Sequence, residues 1–148
     1  MKTRELVAKA PVTVQCDVGL RAAAGLMDSA NVGSLLVMDG GRLVGIVTDR
    51  DIVVKAVASG YPSDARIDSV MSMDIVAVDA EADVHEAYRM LGSHGVRRLP
   101  VLDGDAIVGM LTVDDLLVGL ATDLERLVHP VVGEMVFGHH PVPVPAVP

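Results

Sequence analysis

The chain holds one cysteine, no tryptophan, one phenylalanine and two tyrosines. A single thiol, Cys16, excludes an intramolecular disulfide and any metal site built on clustered cysteines. With only Tyr61, Tyr88 and Phe137, the stacking platforms that single-stranded nucleic acid requires are missing. Basic residues are also short: Lys+Arg number 12 against 20 for Asp+Glu, and the formal net charge is −8. Such a surface repels phosphate backbones and anionic lipids on average, so neither nucleic acid nor membrane is an expected partner. No signal-like segment opens the chain, and its apolar runs are too short to span a bilayer. The expectation is a soluble cytoplasmic protein.

What the chain does have is aliphatic bulk. Apolar residues make up 51% of its 148 positions, so Val, Leu, Ile, Met and Ala must fill the core. That length suits one compact domain with a real interior.

The strongest internal signal is a duplication. Adding 64 to each residue number lays the first half on the second without a gap. Val12-Thr13-Val14 falls on Val76-Ala77-Val78, Leu35 and Val37 on Leu99 and Val101, and Asp39-Gly40 on Asp103-Gly104. Val44-Gly45-Ile46-Val47-Thr48 matches Val108-Gly109-Met110-Leu111-Thr112, and Asp51 falls on Asp115. A shared register of Gly, Thr, Asp and an Asp-Gly turn is far less common by chance than shared apolar residues.

Each copy reads as β-α-β-β-α, preceded by a short lead-in at Leu6-Val7 or Val70-Met71. The first strand is expected over Pro11–Val14 and Ile75–Val78. A helix follows, with Leu20, Ala23/Ala24 and Met27, or Val84, Ala87/Tyr88 and Leu91, on one face. Two strands, Ser34–Met38 with Leu43–Val47 and Leu99–Leu102 with Ile107–Leu111, flank tight turns at Asp39-Gly40-Gly41 and Asp103-Gly104-Asp105. A second helix starts at Thr48 or Thr112, and Gly60-Tyr61-Pro62 ends the first copy. One unit alone leaves apolar faces wet, and two can bury them against each other. The division expected is residues 1–66, 67–128 and a tail over 129–148. Thr122-Asp123-Leu124-Glu125 reads as a capping box opening a last helix that Pro130 and Gly133 break. Val131–Phe137 reads as a packing segment and Pro141–Pro148 as an extended tail.

The candidate chemistry lies in Gly45-Ile46-Val47-Thr48-Asp49-Arg50-Asp51 and Gly109-Met110-Leu111-Thr112-Val113-Asp114-Asp115. Both run Gly, two apolar residues, Thr, two residues, Asp, at the end of a strand and the start of a helix. A helix N-terminus presents unpaired N–H groups to phosphate. A threonine hydroxyl can bond a phosphate or sugar oxygen, and a carboxylate can accept from both hydroxyls of a ribose. Thr-x-x-Asp is equally a variant of the helix capping box, which needs no ligand.

Over roughly Thr3 to Leu120 the chain resembles a pair of cystathionine-β-synthase (CBS) domains. The resemblance rests on the duplication, on both Gly-x-x-Thr-x-x-Asp motifs, on Gly95-Val96-Arg97-Arg98-Leu99-Pro100-Val101, and on Thr-Asp-Arg-Asp-Ile and Thr-Val-Asp-Asp-Leu. It implies an α/β (α+β) fold with pseudo-two-fold symmetry and two clefts that take AMP, ADP, ATP or S-adenosyl compounds. It further implies a regulatory module, not an enzyme, that assembles as a homodimer and signals to an effector protein in trans. One cleft would combine Thr13, with Ala8 beside it, and Arg97, Arg98, Thr112, Asp114 and Asp115. The other would combine Ser72 and Ala77 with Thr48, Asp49, Arg50 and Asp51.

Copy one has Gly33-Ser34 where copy two has Arg97-Arg98, so the arginine cleft should hold phosphates more tightly. The alternative for these arginines is a solvated strand edge or ion pairing with Asp103 or Asp105. Arg50 is either a phosphate ligand or the partner of Asp49 and Asp51. His85 and His94 read as exposed, His139-His140 as tail, and Cys16 as a small apolar filler. No metal ligand set or catalytic constellation stands out. A constitutive scaffold with empty clefts is the competing function.

Overall fold

A computed structural model describes residues 1–7 and 9–137, and side chains as far as 130. Ala8, His139-His140 and the Pro141–Pro148 tail lie outside the described residues, as do the side chains of Val131–Phe137.

The first copy comprises β1 (Thr13–Gln15), α1 (Leu20–Ala30), β2 (Ser34–Asp39), β3 (Arg42–Thr48) and α2. α2 opens as an α-helix at Asp49–Asp51 and widens to a π-helix over Ile52–Val57. The second copy comprises β4 (Val78–Asp79), α3 (Val84–His94), β5 (Arg98–Asp103), β6 (Ala106–Thr112) and α4 (Val113–Phe137). Each copy builds a three-stranded sheet, parallel between its first two strands and antiparallel between the last two. Even the irregularities repeat. The register shifts at Val37/Met38 in one hairpin and at Val101/Leu102 in the other. The fold is α+β, as expected, with both first strands displaced toward their C-terminal ends. Gly40 and Gly41 take φ of 56° and 83° in the two-residue turn, where a side chain would be strained.

Amphipathic spacing works as the physics requires. Leu20, Ala23 and Met27 are buried on α1, and Val84, Ala87 and Leu91 on α3, while Ala24 faces out. Leu35, Val37 and Val47 are fully buried in the first core, and their counterparts Leu99, Val101 and Leu111 in the second. Burying each such leucine contributes roughly 1.5–3 kcal/mol. The second helices break the symmetry. Ala56 is buried in the wider turn of α2, whereas its counterpart Leu120 is 44% exposed on the regular α4.

The two lead-ins cross over. A 3-10 turn at Thr3–Leu6 docks on the second copy, with Thr3 N–H donating to Ala82 O (2.9 Å) and Arg4 N–H to Ala80 O (3.1 Å). Arg4 pairs with Asp103 at 2.8 Å, and Leu6 and Val7 pack on the second core. A matching turn at Ile67–Ser69 docks on the first copy, with Ile67 N–H on Val18 O at 2.7 Å and Ile67 and Val70 in the first core. The packing units are therefore interleaved across the 66/67 boundary read from the sequence.

α4 corrects another expectation. Thr122 caps nothing: its hydroxyl donates to Val118 O at 3.0 Å, one turn back inside a continuous helix. Nor does Pro130 end it, because one missing donor does not terminate a ladder sustained on both sides, and Gly133 is spanned as well.

Candidate functional site

Both motifs begin inside a strand, at Gly45 in β3 and Gly109 in β6, and run through the strand's last residue into the helix, where each forms a full capping box. Thr48 N–H and hydroxyl each donate to Asp51 Oδ2 at 2.9 Å, and Asp51 N–H returns to Thr48 Oγ1 at 3.1 Å. Thr112 repeats this with Asp115 Oδ2 at 3.0 and 2.7 Å, and Asp115 N–H returns at 3.1 Å. One oxygen of each carboxylate is thus committed to its own helix turn.

The other oxygens differ. Asp51 Oδ1 meets Lys55 Nζ at 3.0 Å, and the same ammonium donates to Val70 O at 3.1 Å. Burial pushes the Asp51 carboxyl up, but the Thr48 amide, the Lys55 ammonium and the Thr48 hydroxyl outweigh it and hold the group below the ordinary aspartate range. Asp115 Oδ1 has no hydrogen-bond partner among the described residues, and the position equivalent to Lys55 is Gly119.

A crevice of about 410 Å³ opens in front of the second motif. Copy two lends Arg98, Met110, Thr112, Asp114 and Asp115. Copy one lends Lys9–Val12, Ala30 and Val32–Ser34. The site is therefore shared between repeats, and its size falls within the range of small-molecule pockets, about 300–1,000 Å³. Lys9 and Arg98 give it two cationic side chains, and neither forms an ion pair among the described residues. Arg98 lies over Gly33, where a methyl group would stand 3.5 Å from its guanidinium and 3.3 Å from Asp49 Oδ2.

Of the expected first set, Arg98, Thr112, Asp114 and Asp115 come together here. Thr13 and Arg97 do not. Thr13 lies past the crevice in β1, exposed, because the wall is made by the four residues before it. Arg97 is exposed one residue ahead of β5, and only its carbonyl is engaged, accepting from Val113 N–H at 3.1 Å. Asp103 pairs with Arg4, and neither Arg97 nor Arg98 forms an ion pair with Asp103 or Asp105 among the described residues.

The second set is more dispersed. Ser72 pairs its backbone with Ile46, at 2.9 and 2.8 Å, across β3. Ala77 lines a different hollow of about 330 Å³ with Arg42, Leu43, Ile75, Leu102, Gly104 and Asp105, because the chain runs on past β3 before β4 begins. Thr48 and Asp51 are absorbed in the capping box, and Asp49 Oδ1 accepts from Arg50 N–H at 2.8 Å. Arg50 is exposed and pairs with neither neighbouring aspartate, since consecutive helical side chains diverge. The residues missed from sequence were Lys9 and Lys55. Lys55 had a readable signal, an acid four residues earlier on a helix.

His85 and His94 are exposed, and Cys16 is half-buried against the first core. Among the described residues no group of three His, Cys, Asp or Glu is placed to hold a metal, and no helix is long and apolar enough to cross a membrane.

Comparison with known proteins agrees with the duplicated fold. The chain is 34% identical over 106 residues to the CBS domain-containing protein YhcV of Bacillus subtilis, spanning 72% of this chain and 76% of that one. A putative signal-transduction protein with CBS domains from Burkholderia ambifaria superposes with a TM-score of 0.76 at 30% identity, over 83% of this chain and 96% of that one. The CBS domain pair of protein MJ0100, solved in complex with 5′-methylthioadenosine and S-adenosyl-L-methionine, shares the fold with a TM-score of 0.74 at 23% identity, over 83% and 98%. The model of the CBS domain matches twice, over residues 4–57 and 67–122, each match containing one strand-to-helix corner, and the chain belongs to the CBS domain family as a tandem pair.

Proposed function

We propose that this chain is a regulatory sensor that takes an adenine nucleotide, AMP, ADP or ATP, in the crevice at Thr112 and Asp115. S-adenosylmethionine is the other candidate of the same class. The observation that carries the reading is the shared crevice itself. It sets an uncommitted carboxylate oxygen, a helix N-terminus and two unpaired cations around one volume of about 410 Å³. Asp115 Oδ1 is suited to a ribose hydroxyl, and Arg98 and Lys9 to the charge of a phosphate, since the Thr112, Val113 and Asp115 amides at the start of α4 are already engaged. Because both repeats line the crevice, a ligand touching both biases their relative position, and a partner protein can read the result. A related pair of the same fold has been solved with adenosyl ligands. Self-association as a homodimer completes the reading, and the exposed Val53, Val57, Leu117, Val118, Leu124 and Leu127 on α2 and α4 support it.

One observation favours a second reading, a constitutive assembly module. Both Thr/Asp pairs are satisfied within their own helices, so capping alone accounts for them. Calorimetric titration of AMP, ADP, ATP and S-adenosylmethionine separates the two. Saturable binding that Asp115→Ala weakens by roughly one to two decades, the worth of a charge-assisted contact, supports the sensor. Absence of binding by the wild type at millimolar ligand overturns it.

A further inference from the structure

The two motifs are matched atom for atom in their capping boxes but not in what faces outward. At the second motif Asp115 Oδ1 is open, and Gly119, one turn along α4, places nothing over it; its nearest neighbour is Leu6 Cδ2, 3.5 Å from where a Cβ would stand. At the first motif the equivalent turn carries Lys55. Its ammonium sits 3.0 Å from Asp51 Oδ1 and 3.1 Å from the carbonyl of Val70, the residue that the duplication aligns with Leu6. Lys55 therefore ties three things together: the helix α2, the carboxylate oxygen left over by the capping box, and the lead-in strap that runs on to Ser72 across β3. The Asp51 side chain is only 19% exposed beneath it.

We infer that Lys55 is an internal occupant of the first motif and makes this chain a one-ligand sensor. The inference rests on the proposed nucleoside reading of the second crevice. A ribose diol needs a carboxylate oxygen with free lone pairs. At Asp51 one oxygen already accepts twice, and the other is held by a cation that a neutral sugar hydroxyl cannot replace on equal terms. The strap contact adds a geometric barrier, since displacing the ammonium also strips the Val70 carbonyl of its partner. The inequality expected from Arg97-Arg98 is thus assigned to a different residue, on the opposite copy. The four-residue spacing of Asp51 and Lys55 lets the pair form on the helix surface without distorting it.

Adenosine is the suitable probe, because it carries the diol and no phosphate, so losing the lysine charge does not itself weaken it. Equilibrium titration of the intact chain should give one adenosine per wild-type chain and two per Lys55→Ala chain. Asp115→Asn should weaken the wild-type site by roughly one to two decades, yet leave one unweakened site when combined with Lys55→Ala. Lys55→Met, which keeps the aliphatic stem and the helix propensity, should also give two, so a folding defect in the alanine variant does not decide the matter. One site in both the wild type and the lysine variants overturns the inference and leaves the crevice reading intact. Two sites in the wild type do the same. No binding by any of these proteins sinks the crevice reading, and the inference falls with it.

Discussion

Gly45 and Gly109 occupy equivalent places under the two straps, and substituting each by alanine tests whether the crossover is as tight as it looks. A methyl on Gly109 would overlap Val7 Cγ1 and stand 3.0 Å from the carbonyl oxygen of Lys9. A methyl on Gly45 would overlap Met71 Sδ, with Met71 Cγ at 2.9 Å and Ser72 O at 3.0 Å. The backbone oxygens are equally close, so the difference lies in the side chains. Met71 can swing its thioether away, whereas Val7 is β-branched, has few ways to turn its short side chain aside and is packed on the second core. Overpacking of this kind costs about 1–3 kcal/mol. Losing a glycine's unfolded-state freedom returns about 0.5 kcal/mol in both variants. The expected net losses are about 2 kcal/mol for Gly109→Ala and about 0.5 kcal/mol for Gly45→Ala. In a chain of this size that corresponds to melting points lowered by roughly 8 °C and roughly 2 °C. Differential scanning calorimetry on the purified variants reads both values. Equal melting points, or a larger loss for Gly45→Ala, would refute the argument, because the branched side chain would then not be what resists the strap's displacement.

Asp115→Asn weakens a capping box and should cost about 1 kcal/mol in urea unfolding; Asp51→Asn should cost more, because it loses the Lys55 pair as well, while only the first lowers nucleotide affinity. The Asp51 carboxyl is held below its ordinary range, so the stability it contributes is complete above that range and is lost as pH falls through the folded value. The advantage of the wild type over Lys55→Ala at neutral pH should therefore vanish in acid, and an advantage unchanged in acid would count against the pair. Leu124→Glu, at a position 60% exposed on α4, should shift any dimer to monomer in sedimentation without lowering the melting point of the monomer. Val7→Ala should cost about 1.5 kcal/mol and also weaken nucleotide binding, whereas Ile67→Ala, in the first core, should cost about 2–5 kcal/mol with binding retained in the folded fraction.

Much of the fold was legible because the duplication supplied a second reading of every element. Where copy two had Gly95 in the left-handed region, copy one had Asn31, and both end the first helix at the same step. The first strands were read too early, at Pro11 and Ile75, since only residues facing a partner in β2 or β5 become strand, and β propensity does not say where pairing begins. The crossing of the lead-ins left no local mark: Leu6-Val7 and Val70-Met71 are short apolar pairs that fit either core. That is why Lys9 was missed and Thr13 chosen, because the strap and not the strand forms the crevice wall. Lys55 was visible at four residues from Asp51, but an acid–base spacing on a helix is so common that only the bond to Val70 O gives it meaning.

The interleaving has a consequence for how a small ligand could move a protein of this kind. The segment from Thr3 to Val12 is at once a component of the second core, through Leu6 and Val7, and a wall of the crevice, through Lys9–Val12. A ligand that holds this wall against Thr112 and Asp115 therefore also holds the strap against β6, so occupancy and core stability are linked in one free energy. The first copy has the same strap, already pinned by Lys55 to Asp51 and to Val70. On the proposed reading the asymmetry has a physical sense: one half is tied by its own side chain, and a ligand in the other crevice would do what the lysine does.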